Sequence, residues 1–98
     1  MPEELTGKQK SMLRGMAMKL RSLVQIGKQG VTENVVKEIS FALLRFELVK
    51  VRLEAESREA KAALIHEIEE KTGSTLCGSV GGTASFYRQS EKKLIKLG

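Results

Sequence analysis

Gly27-Lys28-Gln29-Gly30 is the stretch of this chain whose residue types and spacing most directly suggest chemistry. It follows a short β-prone run, Leu23-Val24-Gln25-Ile26, and precedes a helical pattern that opens at Thr32. Glycines let the backbone take positive φ and approach a ligand closely, and amides ahead of a helix N-terminus carry the positive end of its dipole. The chemistry is anion binding. Lys28 adds a charge without shape specificity, and Gln29 can hydrogen-bond a sugar or a base edge. The same four residues also suit a simple turn, and taken alone the loop leaves both readings open.

Acid–base and nucleophilic chemistry find less to work with. His66 is the only histidine, aspartate is absent, and Cys77, the only cysteine, is predicted on a different element. Neither a nucleophile–base–acid triad nor a metal cluster can be assembled from these, so no enzyme and no cofactor is expected. His66 reads as an exposed helix residue and Cys77 as a small strand residue with nothing nearby in sequence to lower its pKa. A lone cysteine excludes an intramolecular disulfide and points to a reducing compartment, the cytoplasm.

The elements that position the loop come from a chain of 98 residues with 17 Lys/Arg, 12 acidic groups, a net charge of +5 and 41% apolar residues. That is room for one domain, residues 1–98, and for a single core. No apolar run approaches the ~20 residues of a membrane span, so no membrane partner is expected. Met1-Pro2-Glu3-Glu4-Leu5 lacks the order of a secretory leader, and the mature chain is expected to be the one written here. The charge is polarised. Residues 1–31 hold six Lys/Arg against two Glu and residues 74–98 four against one, whereas residues 54–73 hold three against six. If the basic ends meet in space they form one positive face.

Thr6-Gly7-Lys8-Gln9 has the form of a capping box, and Leu13, Met16, Ala17 and Leu20 follow at the spacing of one helix face, which predicts a first helix from about Lys8 to Arg21. Lys10, Arg14 and Arg21 then share a stripe beside that face. Thr32 is the expected N-cap of a second helix whose buried side is Val35, Val36, Ile39, Ala42, Leu43 and Phe46. Leu48 to Leu53 alternates, so Val49, Val51 and Leu53 face a core while Lys50 and Arg52 face away. Ser57 caps a third helix with Ala60, Ala63, Leu64 and Ile68 inward, Glu59, Glu67 and Glu70 outward and Gly73 at its end. Thr75 to Val80 and Thr83 to Tyr87 flank Gly81-Gly82, which suits a type I′ hairpin. Residues 89–98 read as a basic tail, with a helical turn around Leu94, Ile95 and Leu97. The order is α-β-α-β-α-β-β, an α/β fold. Strands joined through helices should run parallel with right-handed crossovers, and the final hairpin makes a mixed four-stranded sheet.

Read in order, Leu5-Thr6, Leu13-Arg14 with Ala17 and Leu20, Val24 to Thr32, Glu47-Leu48-Val49-Lys50-Val51, Thr72-Gly73 and Tyr87-Arg88 form a pattern. Over residues 5–88 it resembles the CRM domain (chloroplast RNA splicing and ribosome maturation) in its single-domain bacterial YhbY form. The resemblance implies a compact RNA-binding module similar in fold to the C-terminal domain of translation initiation factor three. It implies as partner ribosomal RNA in precursors of the large subunit, and as role the assembly of that subunit. Gly27, Lys28, Gln29 and Gly30 match the family's RNA-contacting GxxG, and Arg14, Lys50 and Arg88 match its basic positions. Lys10, Arg21 and Arg52 come from the charge stripes alone. KH domains also clamp nucleotide backbone with a GxxG loop, there set between two helices. Gly82 and Ala84-Ser85 depart from the family's last hairpin, which weighs against a phosphate contact from that turn. With one Tyr and three Phe the chain lacks a broad stacking platform, and recognition by shape and backbone is expected of a monomer. The alternative is an adaptor whose positive face meets an acidic protein.

Overall fold

The computed structural model describes residues 5–96, which form α1 (Gly7–Ala17), β1 (Ser22–Ile26), α2 (Glu33–Phe46), β2 (Leu48–Leu53), α3 (Arg58–Thr72), β3 (Thr75–Val80) and β4 (Thr83–Tyr87). Met1 to Glu4, Leu97 and Gly98 lie outside the described residues, and with them the last part of the helical turn expected around Leu94, Ile95 and Leu97. The element order is the expected one, and every helix starts where its cap predicts. The Thr6 hydroxyl accepts from the Gln9 amide at 3.1 Å while the Gln9 side chain accepts from the Thr6 amide at 3.0 Å. Thr32 and Ser57 accept from Val35 and Ala60. These bonds satisfy amides that a first helical turn leaves without partners. Gly73 closes α3 in the left-handed region at φ 71°.

The four strands lie in the order β1-β2-β4-β3. β1 runs parallel to β2, with Val24 opposite Val51 and Ile26 opposite Leu53. β4 sits between β2 and β3, antiparallel to both, so that Phe86 faces Val49 on one side and Leu76 on the other. β2 and β3, joined through α3, therefore run in the same direction as expected, but β4 stands between them.

Alternation divides the sheet into two faces. Val24, Ile26, Val49, Val51, Leu53, Ala84 and Phe86 pack with Ile39, Ala42 and Leu43 of α2 and Ile68 of α3. Each large side chain closed off there contributes about 1.5–3 kcal/mol. On the opposite face Leu48, Cys77 and Tyr87 pack against Leu13 and Ala17 of α1, with Leu5 and Ile95 at the margin.

Several expectations are corrected. α1 ends at Ala17, where Lys19 and Leu20 donate to Met16 and Ala17 in tight three-residue turns, so Arg21 lies beyond the helix and leaves the stripe of Lys10 and Arg14. Met16 and Leu20 are exposed rather than buried. Phe46, at the last position of α2, is 49% exposed, because the chain turns into β2 at the next residue. The left-handed region is occupied at Gly81 (φ 57°) and not at Gly82, so the hairpin has the φ signs of a type II′ turn, not type I′. Glu67 is half-buried and holds Lys71 at 2.6 Å rather than standing fully in solvent. In the segment after β4, read as a basic tail, Ser90 and Ile95 are bonded back to Glu47.

Candidate functional site

Lys50 and Arg52 alternate with Val49, Val51 and Leu53, which places them on the α1 face of β2. Register sets Lys50 beside Ser85 and Arg52 beside Thr83 on β4, and Arg52 beside Gln25 on β1. α1 covers this face only where Leu13 and Ala17 point down, and a cleft opens on each flank of its last turn.

The first cleft, about 200 Å³, lies between Arg14 of α1 and Met18 at its C-cap on one side and Lys50, Gly78, Thr83 and Ser85 of the sheet on the other. Gly78 is what brings Arg14 there. A Cβ on Gly78 would stand 2.8 Å from the Arg14 Cδ and 3.0 Å from its Cγ, so the arginine stem lies on bare strand backbone. A glycine inside a strand marks such an approach. Beside it the strand bulges between Leu76 and Gly78, with the Leu76 amide donating to the Glu69 carboxylate at 2.8 Å. Two cations and two hydroxyls line one concavity. The guanidinium offers a planar fork of donors and the ammonium a point charge, a set that suits phosphate.

The second cleft, about 370 Å³, is lined by Met16, Leu20, Leu23, Phe46, Leu48 and Ile95, with Arg21 and Lys50 as the charged residues among those described. Lys50 borders both clefts.

The Gly27–Gly30 loop is a closed turn. The Gly30 amide donates to the Gly27 carbonyl at 3.0 Å, and Thr32 donates to Gly30. Gly30 takes φ 75°, which favours glycine. Lys28 and Gln29 stand exposed at the tip. On the α3 side the loop meets carboxylates: Glu54 and Glu56 line the hollow beneath Lys28, and a Glu54 oxygen lies 3.5 Å from where a Gly27 Cβ would be. Those charges repel an anion from that side and leave the flank toward Gln25 and Arg52 as the approach.

Three further candidates sit apart from the first cleft and the loop. Arg88 donates to the Thr72 carbonyl at 2.5 Å and the Ser40 carbonyl at 3.1 Å, so both arms of its fork tie α3 to α2. Lys10 is half-buried, and its positive charge favours the ionised form of Cys77. Burial pushes that thiol up to about 12, opposed by Lys10 and assisted by Glu69, which leaves it protonated and unreactive at neutral pH. Arg21 belongs to the second cleft. His66 pairs with Glu70 at 3.0 Å on the exposed side of α3.

The residue that sequence reasoning missed is Glu47. It is buried, at φ 66°, between α2 and β2. Its carboxylate accepts from the Ser90 amide at 2.8 Å, the Ser90 hydroxyl and the Ile95 amide at 2.7 Å, while its backbone bonds Leu43 and Arg88. Burial pushes its pKa up, but these hydrogen bonds outweigh that and hold it below the ordinary 4.5. One signal was available. A carboxylate at a helix C-terminus opposes the dipole and needs another reason to be there.

Comparison with known proteins gives one family. The model of the CRS1 / YhbY (CRM) domain matches residues 5–88. A Haemophilus influenzae protein named "RNA-binding protein" is 38% identical over 93 residues, which cover 95% of this chain and 94% of that one. Bacillus subtilis YqeI, named a probable RNA-binding protein, is 38% identical over 94 residues, covering 95% and 98%. The solution structure of a Staphylococcus aureus protein, described as a candidate RNA-binding protein, superposes with a TM-score of 0.85 at 38% identity over 97% of this chain and 100% of that one.

Proposed function

The chain belongs to the CRS1 / YhbY (CRM) domain family, and from that membership we propose that it is a non-catalytic RNA-binding protein that contacts ribosomal RNA and assists assembly of the large ribosomal subunit. The observation that carries the RNA-binding reading is the cleft in which Arg14, held across Gly78, meets Lys50 over the hydroxyls of Thr83 and Ser85. Arg52 extends this cationic track along β2, and Lys28 and Gln29 add the exposed tip of the loop. The Glu-rich residues 54–73 orient the module by repelling RNA from the other side. The names of the relatives support RNA as the partner. The ribosomal role rests on the family resemblance. In this reading the protein acts as a monomer in the cytoplasm.

Binding of a structured large-subunit RNA fragment tests the phosphate contacts. With about four contacts and a slope near 0.7 each, a fourfold rise in salt weakens binding by roughly 50-fold, and Lys28→Glu removes most of the affinity without unfolding the domain. A flat salt response would overturn phosphate-dominated binding. Cross-linking in cells, mapped onto ribosomal RNA, tests the target. Co-sedimentation with large-subunit particles that survives complete RNA digestion would favour an acidic protein partner instead.

A further inference from the structure

The apolar cleft beyond α1 has no part in a purely phosphate-binding module. Leu48 forms its closed floor, and Met16, Leu20, Leu23 and Phe46 keep 39 to 56% of their surface in water. A small domain usually covers such side chains, and a contiguous group of them marks a binding surface. One wall is deliberately placed: Ile95 reaches the cleft because the buried Glu47 carboxylate holds its amide.

We propose that this cleft receives an unpaired nucleobase of the bound RNA, with the phosphates on either side of that base at Arg21 and Lys50. The inference rests on the RNA-binding reading and extends it from backbone to base. Charge identifies the occupant. Among the described residues the charged groups of the cleft are two cations, which favours an apolar group carried on a polyanion over an apolar peptide or a second copy of this basic chain. Continuity supports it as well. Lys50 borders both the phosphate cleft and the apolar one, so a strand anchored at Arg14 and Lys50 brings its next base to the opening. The volume of 370 Å³ lies in the range of sites for small organic groups, about 300–1,000 Å³. The Phe46 ring and the Met16 thioether are partners that any base can stack on or pack against. Among the described residues no neutral polar side chain lines the cleft, so it selects an unpaired base without selecting its identity.

The test compares a fully paired RNA hairpin with the same hairpin carrying one bulged 2-aminopurine, bound to the full chain. The bulged RNA should bind about tenfold more tightly, and the 2-aminopurine fluorescence should change on binding. Phe46→Ala and, separately, Leu23→Ser should abolish that preference and the fluorescence change while leaving affinity for the paired hairpin unaltered. Equal binding of both RNAs by the native chain with no fluorescence change would overturn the base pocket alone. So would an equal loss for both RNAs in the variants, or a self-association of the free protein that Leu23→Ser abolishes. Failure to bind either RNA would overturn the RNA-binding reading and the pocket with it.

Discussion

On one face of the sheet Val49, Val51, Leu53, Ala84 and Phe86 lie under two helices and are shut away from water, whereas on the other Leu48, Cys77 and Tyr87 lie under an eleven-residue helix that leaves a cleft on each flank. β2 serves both. Its alternation Val49-Lys50-Val51-Arg52-Leu53 sends apolar groups to the closed face and cations to the open one. The closed face holds the larger buried cluster, and the open face displays charge and apolar surface around a smaller one. Substitutions on the two faces should therefore separate loss of folding from loss of binding.

The largest effect should come from the closed face. Phe86→Ala removes a fully buried ring and should destabilise by about 3–5 kcal/mol, at roughly 4–8 °C of melting temperature per kcal/mol. Thermal denaturation followed by circular dichroism checks it, and a fall of only a few degrees would show that the closed face is not the main source of stability. Next comes Glu47, on the seam between the faces. Glu47→Gln weakens charge-assisted bonds to Ser90 and Ile95 and should cost about 1–3 kcal/mol. Because the folded-state pKa is lowered from 4.5, the carboxylate contributes stability above that pH and loses it as the pH falls through the folded value. Melting temperature against pH should therefore fall less steeply below 4.5 in Glu47→Gln than in the native protein.

The open face should show the opposite balance. Arg14→Ala should change stability by less than about 0.5 kcal/mol yet weaken RNA binding about tenfold and lower the salt slope by about 0.7. Gly78→Ala is the finest probe. Its new methyl would displace only the flexible Arg14 stem, so affinity should drop about threefold, the cost of an off-rotamer arginine. In an Arg14→Ala background it should do nothing further, as a double-mutant cycle would show. Additive effects would mean that Gly78 acts on RNA by another route.

What was legible in the sequence was local. The caps at Thr6, Thr32 and Ser57 act within three residues, and the alternation of β2 repeats every second one, so both could be read from short windows. The candidate cations Lys28, Lys50 and Arg52 are displayed as their patterns suggested, apart from the partial burial of Lys50. The errors concern contacts that no short window contains. Arg88 reaches carbonyls 16 and 48 residues away, and Glu47 holds amides 43 and 48 residues away. The early end of α1 is hidden because Met18, Lys19 and Leu20 are good helix formers, and the turn that ends the helix there carries no glycine or proline to announce it.

The position of β4 bears on how the domain comes into being. The last strand along the chain lies inside the sheet, and Val49 must wait for Phe86, 37 residues later, before its ladder is filled. Until residues 83–87 are available, β2 has a partner on one side only and β3 has none. Loop closure over such separations slows folding, and no earlier part of the chain forms a finished sheet. During synthesis the nascent chain should therefore stay open through β3 and close on the arrival of β4, so a chain truncated at Gly82 should show the circular dichroism of an unfolded chain rather than that of a smaller working module.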